Sequence, residues 1–298
     1  MTSDFKTFLD LDPQKHQLGT SFAAILPVSY SKTVSFKSGT ELGPVAIIEA
    51  SAEMEDYDSE LDFETCTLGI HTLPFLDSNL DDPAAMSHLV ASKIDELHQE
   101  VPLICMIGGE HSLSAGAVES FSRNVTDLSV LVFDAQADLR NEYQGWEYSH
   151  ACTSRRIMDF SPVSLVGVRS LTSDEMVYIQ ESKIPFCPRN SEPIESIDSI
   201  IDSLSSNVYI SIDLDVLDPS IMSAVGTPEP GGMGWWEILH LLRSVSEQKN
   251  IVGFDVMELA PNEGPTACAY TAAKLVYKMI GYSSQKLRRK PTRNLLAN

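Results

Sequence analysis

The sequence predicts an α/β fold in which mostly parallel strands form one sheet that is covered by helices on both faces. Short apolar runs rich in strand-forming residues alternate along the chain with longer stretches that have helical periodicity. The short runs also lack the polar alternation of a half-exposed strand, so both faces of the sheet should be buried.

The predicted elements follow from these runs. The five strongest strands are PLICMIG (102–108), SVLVFDA (129–135), VSLVGV (163–168), NVYISIDL (207–214) and NIVGFDVM (250–257). The predicted helices, with apolar residues three or four positions apart, are Ala84–Gln99, Ser112–Ser122, Ser173–Ser182, Ile194–Ser203, Trp235–Gln248 and Thr266–Ile280. No Gly/Ser-rich linker or repeat divides the chain, so we expect one domain over residues 1–298, with a flexible basic tail at 283–298.

The composition excludes several classes of protein. With 21 Lys+Arg against 42 Asp+Glu, the formal charge of −21 argues against nucleic-acid binding. No apolar run approaches the ~18 residues of a membrane helix, and the acidic amino terminus lacks the apolar core of a signal peptide. Five scattered cysteines form no C-x-x-C pair. These features predict a soluble, cytoplasmic protein without a membrane partner, a disulfide framework or a zinc cluster.

Two blocks of charge stand outside the predicted strands and helices. Seven acidic residues lie within 53–64, and five basic residues lie within the last 13 positions. A solvated loop and a frayed tail are the simplest interpretations. A contact between subunits through these opposite charges stays open.

Polar residues follow four of the five predicted strands. They are one histidine and five carboxylates, namely His111, Asp134, Asp138, Asp213, Asp215 and Glu258. Ligands of open parallel sheets bind beyond the carboxyl ends of the strands, and these ends meet at one edge. We therefore expect these side chains to lie together.

So many carboxylates in one partly buried pocket require a counter-charge, because each carboxylate raises the pKa of its neighbours and desolvation raises the pKa of all of them. A pair of divalent cations is the simplest one. Mostly oxygen donors with one nitrogen suit Mn²⁺ better than zinc. Asp213 and Asp215, two positions apart, should share one side of an extended backbone. Taken singly, each aspartate fits a turn or cap residue; taken together, they favour metal binding.

Six spaced motifs carry a resemblance to a known family. They are GGEHS (108–112), FDAQADLR (133–140), SHA (149–151), SIDLDVLDPS (211–220), GTPEPGG (226–232) and FDVMELAP (254–261). In order and spacing they resemble the ureohydrolase family of arginase, agmatinase and guanidino-acid hydrolases. Residues 39–61 and GTPEPGG look like the agmatinase branch. The resemblance implies a three-layer α/β/α fold around a mostly parallel eight-stranded sheet, and a homo-oligomer, either a trimer or a hexamer.

The resemblance also implies two Mn²⁺ ions per chain. By this correspondence His111, Asp134, Asp138 and Asp213 would bind one ion. Asp134, Asp213 and Asp215 would bind the other, with Asp134 and Asp213 bridging the two.

One position departs from the family's motif. The motif reads Asp-Ala-His-x-Asp, whereas this chain has Gln136 in place of the histidine ligand of the second ion. A neutral amide oxygen is a weaker donor to Mn²⁺ than an imidazole, so the second ion should bind less tightly. Two interpretations stay open: an enzyme with a weakened site, or a catalytically impaired homologue that binds guanidino compounds.

The implied reaction is hydrolysis of a guanidino compound to urea and an amine. A small cationic substrate is favoured by the acidity of the chain, and agmatine, giving putrescine and urea, fits best; a guanidino acid or guanidine is the alternative. Asp138 would orient the attacking water, Glu258 would pair with the guanidinium, and His150 would bind substrate and protonate the leaving amine. Glu258 also fits a strand-end carboxylate bonded to backbone. Arg140 could pin its loop or meet an acidic substrate tail.

Overall fold

The structure is a computed structural model that describes residues 6–77, 80–189, 194 and 197–285. The strands in these ranges are β1 Ala23–Ser29, β2 Tyr57–Asp58, β3 Phe63–Glu64, β4 Ile70–Thr72, β5 Leu76–Asp77, β6 Leu103–Gly108, β7 Leu128–Phe133, β8 Val163–Val166, β9 Phe186–Cys187, β10 Asn207–Asp213 and β11 Asn250–Met257. The α-helices are α1 Gly43–Ser51, α2 Pro83–Leu97, α3 Leu113–Asn124, α4 Thr153–Ile157, α5 Ser173–Ser182, α6 Asp198–Ser203, α7 Trp235–Gln248 and α8 Ala267–Ser283.

One parallel sheet forms the centre of the molecule. Its strand order is β4-β1-β6-β11-β10-β7-β8-β9, and β5 pairs with β1 beyond the end of β4. Since β4 and β5 flank the same side of β1 in succession, the sheet is eight strands wide. The prediction of a parallel eight-stranded sheet is confirmed. The short antiparallel pair β2–β3 lies apart from it.

Helices cover both faces of the sheet, which gives the three expected layers. Alternate residues of β6 enter different cores: Cys105 joins the cluster that includes residues of α1, α6, α7 and α8, whereas Met106 joins the cluster that includes residues of α2, α3 and α5. This period of two is what a strand buried on both faces requires. It explains why the strands read as continuous apolar runs.

All five predicted strands are present, and α5 and α7 begin and end at the predicted residues. The strongest predicted strands did not include β1, although it lies inside the sheet. Its run contains Pro27, which lacks the N–H that a ladder needs. The register tolerates this proline: Ile25 pairs with β4 and Val28 pairs with β5, so Pro27 falls opposite the interruption between them.

The acidic segment 53–64 is not the fully solvated loop that its charge suggests. Asp58 is 2% exposed, and its Oδ1 lies 2.8 Å from the ammonium of the buried Lys278 in α8. Glu60 Oε2 lies 2.5 Å from the same ammonium. The segment is therefore tied to α8 by a buried ion pair.

The predicted basic tail lies largely outside the described residues. Ser283 ends α8, and residues 286–298, with all five basic positions, are not described. Within the part of the chain that is described, no helix combines the length and apolar character needed to cross a bilayer.

Candidate metal centre and active site

Three carboxylates surround one nitrogen of His111 at the carboxyl edge of the sheet. His111 Nδ1 lies 3.1 Å from Asp134 Oδ2, 3.4 Å from Asp138 Oδ2 and 3.3 Å from Asp213 Oδ2. His111 follows β6, Asp134 follows β7, and Asp213 ends β10. All four side chains are buried. The sheet thus brings together residues that lie about 100 positions apart in the chain.

Burial and mutual repulsion make this cluster costly without a cation. Burial, with the charge of Asp215, raises the pKa of Asp134 to about 6. Burial and neighbouring carboxylates also raise the pKa values of Asp138, Asp213 and Asp215. Burial alone would lower the pKa of His111, but the surrounding carboxylates outweigh it and hold that pKa well above the ordinary value.

Two atoms at the centre of the cluster lack a well-directed hydrogen bond. His111 Nδ1 and Asp134 Oδ2 are fully buried, and neither has a hydrogen-bond partner among the described residues. The donor atoms of His111, Asp134 and Asp213 lie within 4.8 Å of one another. A divalent cation would satisfy these atoms and offset the carboxylate charges, so the residues fit the metal that the motifs imply.

A hydrogen-bond chain behind His111 fixes which nitrogen faces the carboxylates. His111 Nε2 lies 2.9 Å from Ser211 Oγ, and Ser211 donates to Asp255 Oδ1 at 2.8 Å. Tyr209 donates to the other oxygen of Asp255. Since the hydrogen of Ser211 points to Asp255, Nε2–H donates to Ser211 and the Nδ1 lone pair is available to a metal.

Sequence reasoning missed Ser211 and Asp255. A signal was present, because residues two apart on a strand share a face. Ser211 precedes Asp213 by two on β10, and Asp255 lies opposite Ser211 in the register of β10 and β11. The alternation alone could have placed Ser211 on the same strand face as Asp213.

Asp215 reaches the cluster in a different way from the one its spacing predicts. The extended backbone ends at Asp213, whose side chain accepts from Asp215 N–H at 2.9 Å and caps a 3₁₀ turn at Leu214–Val216. The prediction that the two aspartates share one side of an extended strand is wrong, because the chain turns between them. Asp215 Oδ1 instead accepts from Ala135 N–H at 3.1 Å.

Gln136 lies beside the cluster and lines the adjoining cavity. Its backbone N–H donates to Asp134 Oδ1 at 2.6 Å, which helps to orient that carboxylate. Its side-chain oxygen lies 3.4 Å from the Thr227 hydroxyl, which is at the long limit for a hydrogen bond. The amide is therefore only loosely held.

A cavity of about 260 Å³ opens beside the cluster. Its lining residues include Ser35, Gln136, Asp138, Arg140, Tyr143, His150, Thr172, Glu175 and Thr227. Of the predicted site residues, Asp138 and His150 line it.

Glu258 lies directly behind the loop that carries His111. Its Oε1 accepts from His111 N–H at 2.6 Å, so the backbone contact expected of a strand-end carboxylate is present. Burial, with the charge of Asp213, raises the pKa of Glu258 well above the ordinary value. Glu258 N–H donates to the carbonyl of Gly109. A Cβ at residue 109 would lie 1.9 Å from the carbonyl oxygen of Tyr30, so the close approach of the Tyr30 backbone requires glycine there.

His150 begins a short 3₁₀ helix, His150–Cys152, and lines the cavity. Its Nε2 lies 3.1 Å from Ser35 Oγ, and its ring meets Tyr143 edge-on at 6.0 Å. Burial lowers the pKa of His150 to about 4, so the imidazole is uncharged at neutral pH. Arg140 is exposed, and its guanidinium lies over the Tyr143 ring at 5.0 Å. This contact favours a loop-pinning role for Arg140.

Comparison with known proteins agrees with this geometry. A profile of the Arginase family matches residues 22–281. The N(1)-aminopropylagmatine ureohydrolase of Synechocystis sp. is 35% identical over 91% of this chain and 93% of its own length. The agmatinase of Pyrococcus horikoshii is 33% identical over 88% of this chain and 92% of its own length. The crystal structure of agmatine ureohydrolase of Thermoplasma volcanium superposes with a TM-score of 0.87 at 26% identity, covering 97% of this chain and 98% of that one.

These matches span nearly all of the described chain and include every motif that contributes a residue to the cluster. They confirm the predicted resemblance, the fold class and, at the level of the family, the amidinohydrolase class. The chain belongs to the arginase family.

Proposed function

We propose that this protein is a manganese-dependent hydrolase that converts a guanidino compound into urea and an amine. The observation that carries the proposal is the convergence of Asp134, Asp138 and Asp213 on His111 Nδ1 beside a small cavity. A buried site with this donor set and adjacent space for a ligand suits metal-assisted hydrolysis.

The metal centre would be held by five residues. His111 Nδ1 and the carboxylates of Asp134, Asp138, Asp213 and Asp215 would be the donors. Manganese, when bound, supplies Lewis-acid activation of water at neutral pH.

The chain's own residues would hold and protonate the substrate. The Glu258 carboxylate is the anionic partner for the guanidinium, and Asp138 orients the attacking water. Addition of water to the guanidinium carbon and cleavage of its bond to the substituted nitrogen give urea and an alkylammonium ion. Both water protons end on the leaving nitrogen. His150, uncharged at rest, would take up one of them and pass it on.

Agmatine or an aminopropyl derivative of it is the substrate that we propose. The relatives named above act on such substrates by their names, and the net charge of −21 favours a cationic tail. The Arg140 guanidinium is engaged with Tyr143, which weakens the case for an acidic tail. Cytoplasmic location stays a prediction from the composition, and a trimeric or hexameric assembly stays a prediction from the resemblance.

A panel of substrates tests the proposal. Purified full-length protein is loaded with Mn²⁺, metal content is measured, and urea release is followed with agmatine, N1-aminopropylagmatine, arginine, guanidinobutyrate and guanidine. We expect urea from the first two at the highest kcat/KM. Absence of urea from every compound, with bound metal confirmed, would refute hydrolysis.

Gln136 supports a second candidate, a homologue that binds guanidino compounds without turnover. The loosely held amide gives the second ion a poorer donor than histidine does. Calorimetric binding of agmatine without urea release would favour this candidate over the first.

A further inference from the structure

The buried Glu110 carboxylate, next to the metal ligand His111, is surrounded by hydrogen-bond donors. Its Oε2 accepts from the backbone N–H groups of Lys32 and Thr33 at 2.5 and 2.6 Å. Its Oε1 accepts from the hydroxyls of Thr33 and Ser112 at 2.9 and 2.5 Å. Glu110 has no solvent exposure, so water does not compete with its carboxylate for these donors. It therefore fixes the direction of the Thr33 hydroxyl hydrogen.

That direction leaves Thr33 with only acceptor capacity toward His150. A hydroxyl has one hydrogen and two lone pairs. The hydrogen points to Glu110, and one lone pair accepts from the backbone N–H of His150 at 2.9 Å. The second lone pair faces His150 Nδ1 at 3.3 Å. This last contact is a hydrogen bond only if Nδ1 carries the proton.

Ser35 completes the arrangement on the opposite side of the ring. Its hydroxyl lies 3.1 Å from His150 Nε2, at the edge of the cavity. A neutral imidazole has one donor and one acceptor nitrogen, so an Nδ1–H tautomer lets Nε2 accept from Ser35. Ser149 Oγ, 3.4 Å from Nδ1, is compatible with either tautomer.

We propose that Glu110 is a positioning residue that acts through Thr33 to hold His150 in the Nδ1–H tautomer, with the Nε2 lone pair facing the cavity. No metal ligand takes part in this relay. Free histidine in water favours the other tautomer, with the proton on Nε2, so the protein environment must impose the Nδ1–H form.

The tautomer decides whether His150 can accept a proton at the cavity, and this catalytic consequence rests on the proposed function. With a lone pair on Nε2, which accepts from the Ser35 hydroxyl at the cavity edge, His150 starts as a proton acceptor and donates only after taking up a proton. The wrong tautomer would present an N–H where the reaction needs a lone pair. Glu110 itself touches neither cavity nor substrate, so its effect on turnover would be indirect.

Nitrogen NMR on the full-length chain tests the tautomer without turnover. The chain is labelled with ¹⁵N-histidine and loaded with Mg²⁺, which does not broaden signals as Mn²⁺ does. Two-bond ¹H–¹⁵N correlations distinguish the two neutral tautomers, and the His150 signals are assigned by their loss in His150→Asn. We expect the Nδ1–H form of His150 to be in about tenfold excess.

Two variants probe the relay. In Glu110→Gln the amide oxygen must face the two backbone N–H groups, so its NH₂ faces Thr33 and turns the hydroxyl hydrogen toward Nδ1. The Nε2–H form should then dominate. Thr33→Val removes the hydroxyl and should shift the ratio by about tenfold toward that of free histidine. Ser120→Ala, beside His98, is the matched control and should leave the His150 signals unchanged.

The outcomes separate this inference from the proposed function. A wild-type His150 in the Nε2–H form, or a folded Glu110→Gln variant that keeps the wild-type tautomer, would overturn the inference even if urea is released. Conversely, the predicted tautomers without urea from any substrate would uphold the relay and reject hydrolysis. The wild-type spectra establish the tautomer of His150 even if a variant fails to fold.

Discussion

The hydroxyl of Thr227 donates to Asp215 Oδ2 at 2.9 Å and lies 3.4 Å from the side-chain oxygen of Gln136. A hydroxyl has one hydrogen, and the shorter contact to the carboxylate takes it. Thr227 therefore orients the predicted ligand Asp215 while leaving the amide of Gln136 weakly bound. Position 136, where the family motif has histidine, can therefore be substituted with little loss of side-chain hydrogen bonding.

We expect Gln136→His to strengthen the second metal site. An imidazole is a better donor to Mn²⁺ than a neutral amide, so the second ion should bind ~10–100-fold more tightly. Metal titration by calorimetry, with urea release in parallel, measures the gain. Gln136→Ala, which offers no donor, is the control. Unchanged metal stoichiometry and affinity in the histidine variant would show that residue 136 does not face the second ion.

Manganese should stabilise the folded chain, and more so at neutral than at acidic pH. Metal ligands must be deprotonated, and burial raises the pKa values of these carboxyl groups, so protons compete with the ion at low pH. At ~100 times its dissociation constant the ion adds ~2.7 kcal/mol, or ~4 °C in Tm for a chain of this length. Thermal unfolding with Mn²⁺ or with EDTA, at pH 5.5 and 7.5, measures this. A Tm shift of equal size at both pH values would contradict competition at these ligands.

Sequence reasoning predicted that these side chains would cluster because one rule governs their position. The carboxyl ends of parallel strands share an edge, so polar residues after β6, β7, β10 and β11 had to meet. Their hydrogen-bond partners do not follow from that rule. Asp215 depends on a turn that begins at Asp213, and the Glu110–Thr33 contact joins residues 77 positions apart. Such contacts are set by how loops pack, and nothing local in the sequence encodes them.

Glu258→Gln should impair turnover without loss of metal. The amide oxygen can still accept from His111 N–H, which keeps the loop in place, but the charge that pairs with a guanidinium is gone. We expect kcat/KM to fall ~10²–10³-fold. Metal content should match the wild type, and Glu96→Gln, on the exposed surface of α2, is the control. Wild-type kcat/KM in Glu258→Gln would assign Glu258 to loop structure alone.

The ion pair between Lys278 and Asp58 should contribute to stability well away from the site. Both side chains are buried, and removing one partner leaves an uncompensated charge. Lys278→Met should therefore lower the free energy of unfolding by ~3–5 kcal/mol, whereas Lys93→Met, at an exposed ion pair of α2, should change it by less than ~1 kcal/mol. Adding Asp58→Asn to Lys278→Met should restore part of the loss.

The same pair predicts a dependence on pH. Burial alone would raise the pKa of Asp58, but the hydrogen bond and charge of Lys278, together with hydrogen bonds from the backbone N–H groups of Leu61 and Glu60, outweigh it and lower that pKa below its ordinary value. A carboxyl group with a lowered folded-state pKa adds stability above its unfolded pKa, and that stability is lost as the pH falls through the folded value. The difference in unfolding free energy between wild type and Lys278→Met, measured by urea denaturation, should therefore be full at pH 6 and shrink below about pH 4. A difference that stays constant down to pH 3 would mean that Lys278 stabilises α8 by packing and not through Asp58.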